Sequence, residues 1–249
     1  PRHLDVRTPK RVQTDLGEDF TERLSDYARD CGVTINTLMQ AAWGTVLSTL
    51  TDRTDVLFGA VVSGRPAELS GVETMVGLFI NTVPVRVRLH PEQTSRELLR
   101  AHQDVQASLL EHHHMAITDI QQSTGLGGPL FDTIFVYENY PTLSGTPGAE
   151  TNGSADTQQM RAELLTGEDA THYPLAVVVE PGTNLTVRLD YQPAALTAKQ
   201  ANTILQRLGN VLAMLTDAAE LPISAVSEQL SVSEDSPLLL LSRQLDYWR

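Results

Sequence analysis

Residues 55–89 restrict the possible folds of this chain more than any other part of its 249 residues. They contain two strand-like runs, 56–62 and 83–89, which are joined by a turn-rich connection. The second run places an apolar side chain at every other position, a period of two that is typical of a strand with one buried face. Pro84 lies within this run. Because proline has no backbone N–H to donate, we expect the strand to lie at a sheet edge or to cross between sheets.

The turn after the first run reads Ser63-Gly64-Arg65-Pro66. Glycine and proline in this order are typical of a tight turn, and the turn fixes Arg65 at the end of a buried strand. From the residues alone, the simplest interpretation is a structural connection between two strands.

Two longer phrases in the sequence carry more information than the turn alone. The first comprises Gly64-Arg65-Pro66, then Val76-Gly77-Leu78-Phe79-Ile80-Asn81-Thr82, and then Arg86. The second is FDTIFVYENYP at residues 131–141. Both resemble signature segments of the condensation domains of nonribosomal peptide synthetases. In that family a strand ending in GRP is followed by (V/I)GxF(I/V)NT, and a later strand ends in ENYP. The resemblance covers residues 1–225 and corresponds to the C-terminal half of such a domain.

Composition excludes several classes of protein. The net charge of -13 argues against a nucleic-acid-binding surface. No run approaches the ~20 apolar residues that a membrane helix needs, and the N-terminus lacks the pattern of a signal peptide. The single Cys31 excludes an internal disulfide framework, and its place on a helix face predicts a buried thiol. We therefore expect a cytoplasmic protein that binds neither nucleic acid nor membrane.

Helical periodicity and capping signals predict five helices. The first spans Glu18–Cys31 and ends at Gly32, and Thr34 caps the second. A capping box at residues 94–97 opens a helix that reaches about His112, followed by a short helix at 119–123. Another capping box, at 197–200, opens the last helix. The helix after the first capping box is expected to bury a set of apolar side chains: Leu98, Leu99, Val105, Leu109 and Leu110.

Alternation and apolar runs predict further strands at 11–16, 131–137, 160–165, 175–179 and 185–191. A turn at residues 181–184 predicts an antiparallel hairpin between the last two. Helices and strands without strict β-α-β alternation favour an α+β layered sandwich. The resemblance implies a chloramphenicol acetyltransferase-like two-layer sandwich lobe, with a mixed sheet covered by helices.

The adjacent histidines His112, His113 and His114 invite a catalytic interpretation. Condensation domains carry an HHxxxDG motif whose second histidine lies in the reaction channel. Counted from His113-His114, however, Thr118 occupies the aspartate position and no glycine follows Asp119. Contiguous histidines also point in different directions around a helix, which disfavours a zinc site. We therefore interpret the triplet as a helix end and predict that this chain contains neither the catalytic histidine nor a metal site.

The resemblance implies that this chain lines one side of a substrate channel. Asn139 is implied to face the channel, where its amide would bind an acyl carbonyl or the attacking amine; the alternative is a turn cap. Arg65 is implied to pair with the aspartate of the HHxxxDG motif, or else is a surface arginine. Asn81 is either a channel contact or part of a turn. Ser63 and Tyr137 complete the set of channel candidates.

The last twelve residues, LLLLSRQLDYWR, resemble the segment that precedes residue 1 in the family. We therefore divide the chain into a lobe at 1–225 and a linker plus helix at 226–249. The helix is predicted to place Leu241, Leu245 and Trp248 on one face. The alternative is an amphipathic helix that matches the family segment by coincidence.

The resemblance implies part of a domain that forms amide bonds between aminoacyl and peptidyl thioesters. No cofactor is expected to be bound, since the phosphopantetheine arms belong to partner carrier proteins. The implied partners are those carrier domains, an N-terminal condensation lobe and an adjacent adenylation domain. The isolated chain is expected to be inactive. Two alternatives stay open: a non-catalytic lobe that binds carrier or neighbouring domains, and a related acyltransferase or epimerization domain.

Overall fold

The computed structural model describes residues 8–65, 69–125, 128–138 and 173–226. These residues form six strands: β1 (Lys10–Asp15), β2 (Asp55–Ser63), β3 (Ile80–Arg88), β4 (Thr133–Tyr137), β5 (Leu175–Glu180) and β6 (Thr186–Tyr191). They also form five α-helices: α1 (Glu18–Cys31), α2 (Ile35–Thr51), α3 (Ser95–Leu109), α4 (Ile117–Thr124) and α5 (Ala198–Asp217). Short 3₁₀ helices lie at Val72–Thr74 and Leu110–His112.

The six strands make one mixed sheet in the order β1-β6-β5-β4-β2-β3. β2 and β5 run parallel to β4 on its two sides, and the other neighbouring pairs are antiparallel. β3 is an edge strand, which confirms the position that Pro84 predicts. The antiparallel β5–β6 pair confirms the predicted hairpin. The mixed sheet with its helices confirms the α+β class.

Four helices, α1, α2, α3 and α5, share one hydrophobic core with one face of the sheet. Alternate residues of the strands enter this core, for example Phe58 of β2 and Val177 of β5. α2 is the most deeply buried helix: Trp43 and a broad stripe around it are closed to solvent. Cys31 is buried in the same core, as predicted. Burial of apolar area at about 25 cal/mol per Å² makes this layer the main source of stability.

The predicted helix caps are confirmed in the structure. The Thr34 side chain accepts a hydrogen bond from the Thr37 backbone N–H at 3.1 Å, and complete capping boxes open α3 and α5. α1 ends at Gly32, whose φ of 73° lies in the left-handed region that glycine adopts without strain. Local hydrogen-bonding chemistry therefore sets where these helices begin and end.

Two glycines allow elements to approach closely. A Cβ at Gly44 of α2 would lie 2.7 Å from Cβ of Val87, so this glycine brings the helix against β3. A Cβ at Gly59 of β2 would overlap Cε2 of Phe131, whose ring stacks on Tyr173 with 5.6 Å between centroids. Both positions have no room for a side chain.

Two sequence predictions differ from the structure, and two others are not tested by it. Val105 and Leu110 are exposed and Leu109 is half-buried, so the apolar stripe of α3 is covered only at Leu98 and Leu99. Helical spacing identifies an apolar face but not which part of it meets a neighbour. In addition, Phe131 lies before β4, which begins at Thr133. The predicted strand at 160–165 and the predicted helix within 226–249 lie outside the described residues.

Arg86 has a structural role on β3, since its Nε and Nη2 donate to the two Asp55 carboxylate oxygens at 2.8 and 2.5 Å. Within the described ranges, no helix combines the length and apolar character that crossing a bilayer requires.

Candidate functional site

One end of the sheet brings together parts of both sequence phrases. β2 and β4 are parallel and paired through Ala60 and Phe135, so their carboxyl ends lie at the same end of the sheet. Counting three residues on from that pair places Ser63 level with Glu138. β3 runs antiparallel to β2 and starts at this same end of the sheet, where Ile80 pairs with Ser63. The topology therefore brings Ser63, Asn81 and Tyr137 to one end, while Asn139 lies outside the described residues.

Asn81 joins this end of the sheet to the turn after the 3₁₀ helix Leu110–His112. Its Nδ2 donates to the carbonyl oxygens of His113 at 2.7 Å and Met115 at 2.8 Å. Its Oδ1 accepts from the Thr82 backbone N–H at 2.9 Å. Both N–H groups and the oxygen of the Asn81 amide are thus engaged, and the side chain links two segments of the chain. Of the two roles predicted for Asn81, this favours the structural role in a turn over a contact in the channel.

Arg65 organises the loop that follows β2. Its Nη1 donates to the carbonyl oxygens of Val72 and Met75, the latter at 3.1 Å. The guanidinium carbon lies 4.0 Å from the centroid of the Phe79 ring, a cation–π arrangement. Arg65 therefore holds the returning arm of the loop against the end of β2.

Ser63 and Tyr137 differ in their surroundings. Ser63 is exposed at the last position of β2. Tyr137 ends β4 and packs against the helix-side core, and its burial raises the pKa of the phenol. The Tyr137 side chain therefore belongs in part to the core, whereas Ser63 presents its hydroxyl at the surface of the sheet end.

The histidine triplet lies beside this sheet end. His112 ends the 3₁₀ helix, and His113 and His114 follow in a turn. His113 is half-buried, and burial lowers the pKa of its imidazole. Its Nε2 is buried and has no hydrogen-bond partner among the described residues. The triplet thus provides a backbone carbonyl, that of His113, as a hydrogen-bond acceptor for Asn81. It does not form the turn of a catalytic HHxxxDG motif.

An ion-pair network close to this end was missed by sequence reasoning. Arg188 of β6, which is 12 % exposed, donates to Glu138 at 3.3 Å, to Asp190 at 3.1 Å and also to Glu180. Arg11 of β1 binds Asp190 from the other side, at 2.7 Å. The network ties four strands together and holds Glu138 at the end of β4. The polar face of β6 was visible in the sequence, but its partners required the strand order.

Within the described parts of the chain, no group of three or more His, Cys, Asp or Glu side chains could hold a metal ion. The described site consists instead of hydrogen-bonding and cationic side chains at the carboxyl ends of a parallel strand pair. Such strand ends can bind and orient polar groups.

Comparison with known proteins identifies the family. The family model described as "Condensation domain" matches residues 3–239. Vanchrobactin synthetase VabF of Vibrio anguillarum is 37% identical over 216 residues, which cover 87% of this chain and 7% of that protein. The chain thus spans a small fraction of the length of this relative.

Two solved structures share the fold. The first condensation domain of the CDA synthetase aligns with a TM-score of 0.68 at 16% identity, over 90% of this chain and 48% of that one. Holo-AB3403, a four-domain nonribosomal peptide synthetase bound to AMP and glycine, aligns with a TM-score of 0.74 at 17% identity, over 87% of this chain and 17% of that one. The family match over nearly the whole chain and the shared fold lead to one conclusion. This chain belongs to the condensation-domain family.

Proposed function

We propose that this chain is one lobe, the C-terminal half, of a nonribosomal peptide synthetase condensation domain. In this proposal it lines the channel in which two carrier-bound acyl groups are joined. The observation that carries the proposal is the meeting of both signature phrases at one end of the sheet, through residues 80–82 of the first and 137–138 of the second. The alignment with about half of a solved condensation domain, 48% of its chain, supports the assignment to one lobe.

The proposed reaction is amide formation by acyl transfer. The amine nitrogen of the acceptor attacks the thioester carbonyl of the donor, so that a C–N bond forms and the C–S bond breaks. The proton lost by the amine goes to the departing thiolate. Holding the two groups in contact accounts for much of the acceleration in such a reaction, and a donor aimed at the carbonyl oxygen stabilises its developing charge.

Asn139 is the residue that we propose for this donor. It follows Glu138, whose backbone N–H continues the β4–β5 ladder to Val179 at 2.8 Å and whose carboxylate binds Arg188. Its position in the sequence, directly after this anchored residue, is what favours Asn139 as the polar contact with the substrate. Asn81 and Arg65 hold the neighbouring segments in place.

The proposed partners are two carrier domains, the N-terminal lobe and an adjacent adenylation domain. The phosphopantetheine arms arrive with the carriers and are therefore substrates rather than a resident group. The N-terminal lobe would supply the HHxxxDG histidine. Multidomain organisation is supported by the relative of which this chain covers 7% and by the four-domain synthetase that shares the fold.

Asn139→Ala in the synthetase that contains this chain tests the proposal. We expect the dipeptidyl thioester to form about tenfold more slowly or worse, because one hydrogen bond to the reacting carbonyl is lost. Mass spectrometry of the acceptor carrier in a single turnover measures this rate, and thermal unfolding is expected to be unchanged. Asn202→Ala is the matched control, since Asn202 is exposed on α5 and bonds within its own helix to the Ala198 carbonyl.

A normal rate combined with a lowered unfolding temperature would make Asn139 a turn cap and contradict its proposed role. If the unsubstituted synthetase forms no dipeptidyl thioester from two loaded carriers, the lobe is an interaction module and the proposed function is wrong.

A further inference from the structure

A cleft lies at the opposite end of the sheet from Ser63, Asn81 and Tyr137. It is a cleft of about 850 Å³ where β2 begins, one strand length from Ser63. Its wall comes from the end of α2, the starts of β2 and β4, the middle of β3 and the end of α4. The volume lies in the range of small-molecule sites, roughly 300–1,000 Å³. The eight strand steps from Asp55 to Ser63 put the cleft about 26 Å from the other sheet end.

Two polar atoms in the wall of this cleft lack hydrogen-bond partners among the described residues. They are Oδ2 of Asp132 and Oγ1 of Thr133, and both are buried. Thr133 as a whole is only 1% exposed. Buried polar atoms are nearly always paired, and leaving a carboxylate oxygen buried without a donor is costly. The cleft is therefore suited to a ligand that supplies hydrogen-bond donors carrying positive charge.

The cationic side chains of the wall are already engaged. Arg86 is bound through two nitrogens to Asp55 at the mouth of the cleft. Arg53 also has a partner of its own. Asp52 is exposed at the end of α2 and adds negative charge. An anion would have to compete with Asp55 for Arg86, whereas a cation would meet the carboxylate of Asp132.

The remaining wall is largely aliphatic and suits an apolar body attached to the charged group. It is formed by Leu47, Leu57, Pro84, Ile120 and Leu130. An unpaired carboxylate oxygen together with an aliphatic wall suits a ligand that has a small cationic head and an alkyl chain.

We propose that this cleft binds an organic ammonium compound, whose N–H groups donate to Asp132 and Thr133 while its alkyl chain packs on the aliphatic wall. The cleft lies at the sheet end opposite Ser63, Asn81 and Tyr137, and the proposal does not depend on the proposed condensation function.

Hexylammonium chloride is the probe, and hexan-1-ol of the same chain length is the neutral comparison. Each is titrated into the isotopically labelled chain, and amide chemical shifts report both the affinity and the location. We expect the ammonium to bind at least about tenfold more tightly than the alcohol, because only the ammonium carries the charge that offsets the buried carboxylate. The shifts are expected at residues of the cleft wall.

Asp132→Asn is expected to remove this preference, lowering the ammonium affinity at least about tenfold and leaving the alcohol affinity unchanged. Asp26→Asn is the matched control, because Asp26 is an exposed acid of α1 paired with Arg29. Thr133→Val, which keeps the shape of the side chain, is expected to weaken ammonium binding by a smaller factor.

Acidification provides a readout that a purely apolar site would not show. Burial raises the pKa of Asp132 to about 6, so ammonium binding should weaken between pH 8 and pH 5 as the carboxyl takes up a proton. The other charged groups of the wall are Asp52, Arg53, Asp55 and Arg86. Arg86 lowers the pKa of Asp55, which therefore stays ionised over this window.

Equal affinities for the two probes, shifts confined to other surfaces, or an unchanged affinity in Asp132→Asn would each overturn the proposal. In the absence of any binding, water would be the occupant that satisfies Asp132 and Thr133, and the inference would be wrong.

Discussion

At the scale of single residues, the buried carboxyl of Asp132 has a measurable thermodynamic effect. Burial raises its folded-state pKa from 3.8 to about 6. A raised acid pKa means that the folded protein disfavours the ionised form. The cost to stability is thus fully present above pH 6 and disappears as the pH falls below 3.8, where both states are protonated.

Asp132→Asn is therefore expected to increase the free energy of unfolding at pH 8 and to leave it nearly unchanged at pH 3.5. The upper bound is about 3 kcal/mol, from roughly two pKa units at about 1.4 kcal/mol each, reduced by the cost of burying the new amide. Urea unfolding at both pH values measures the difference. Buried His102, whose pKa is lowered to about 4, contributes the opposite pH trend but cancels between variant and parent. A variant that is less stable at pH 8 would contradict the prediction.

At the scale of elements, close packing of Phe131 on β2 fixes how the chain enters β4. Gly59→Ala would place a methyl group closer to the Phe131 ring than two carbon atoms can approach. Overpacking of this kind costs about 1–3 kcal/mol, so we expect a lower free energy of unfolding. Gly209→Ala is the matched control: no described atom outside its own helix lies within 4 Å of the new Cβ on α5, and the helix should gain about 1 kcal/mol. Equal effects of the two changes would show that Phe131 does not pack as described.

The helices were predictable from local chemistry, whereas the site required the strand order. Thr34 and the capping boxes specify helix starts within four residues of sequence, and alternation in 83–89 specifies the buried face of β3. Nothing local indicated that Arg188 would meet Glu138, because these residues are 50 positions apart and meet only once β4, β5 and β6 are adjacent. The wrong burial of Val105 and Leu110 has the same origin, since the neighbour of a helix face is set by the whole fold.

At the scale of the whole molecule, the chain exposes a group of apolar side chains just before and at the start of β3. Val76 and Leu78 are almost fully exposed, and Ile80 is more than half exposed. Apolar side chains exposed together in this way mark interaction surfaces. They fit the proposal that this chain provides one side of a channel whose other side is a separate lobe.

The chain alone is accordingly expected to have no condensation activity, because half of the proposed channel is missing. Two loaded carrier domains incubated with it should give dipeptidyl thioester only at the uncatalysed rate, as measured by mass spectrometry. The same carriers with the whole synthetase serve as the positive control. Product well above background from the chain alone would overturn the proposal that it forms half of a site.

The edge position of β3 also bears on how such a lobe behaves at high concentration. An exposed edge strand is a template on which identical sheets can join into fibrils. Pro84 offers no N–H to an incoming strand, and Arg86 and Arg88 point their exposed side chains from the same strand. The addition of another strand to the sheet at β3 is therefore disfavoured. This protects the β3 edge from amyloid-like assembly even where the apolar loop before it is exposed.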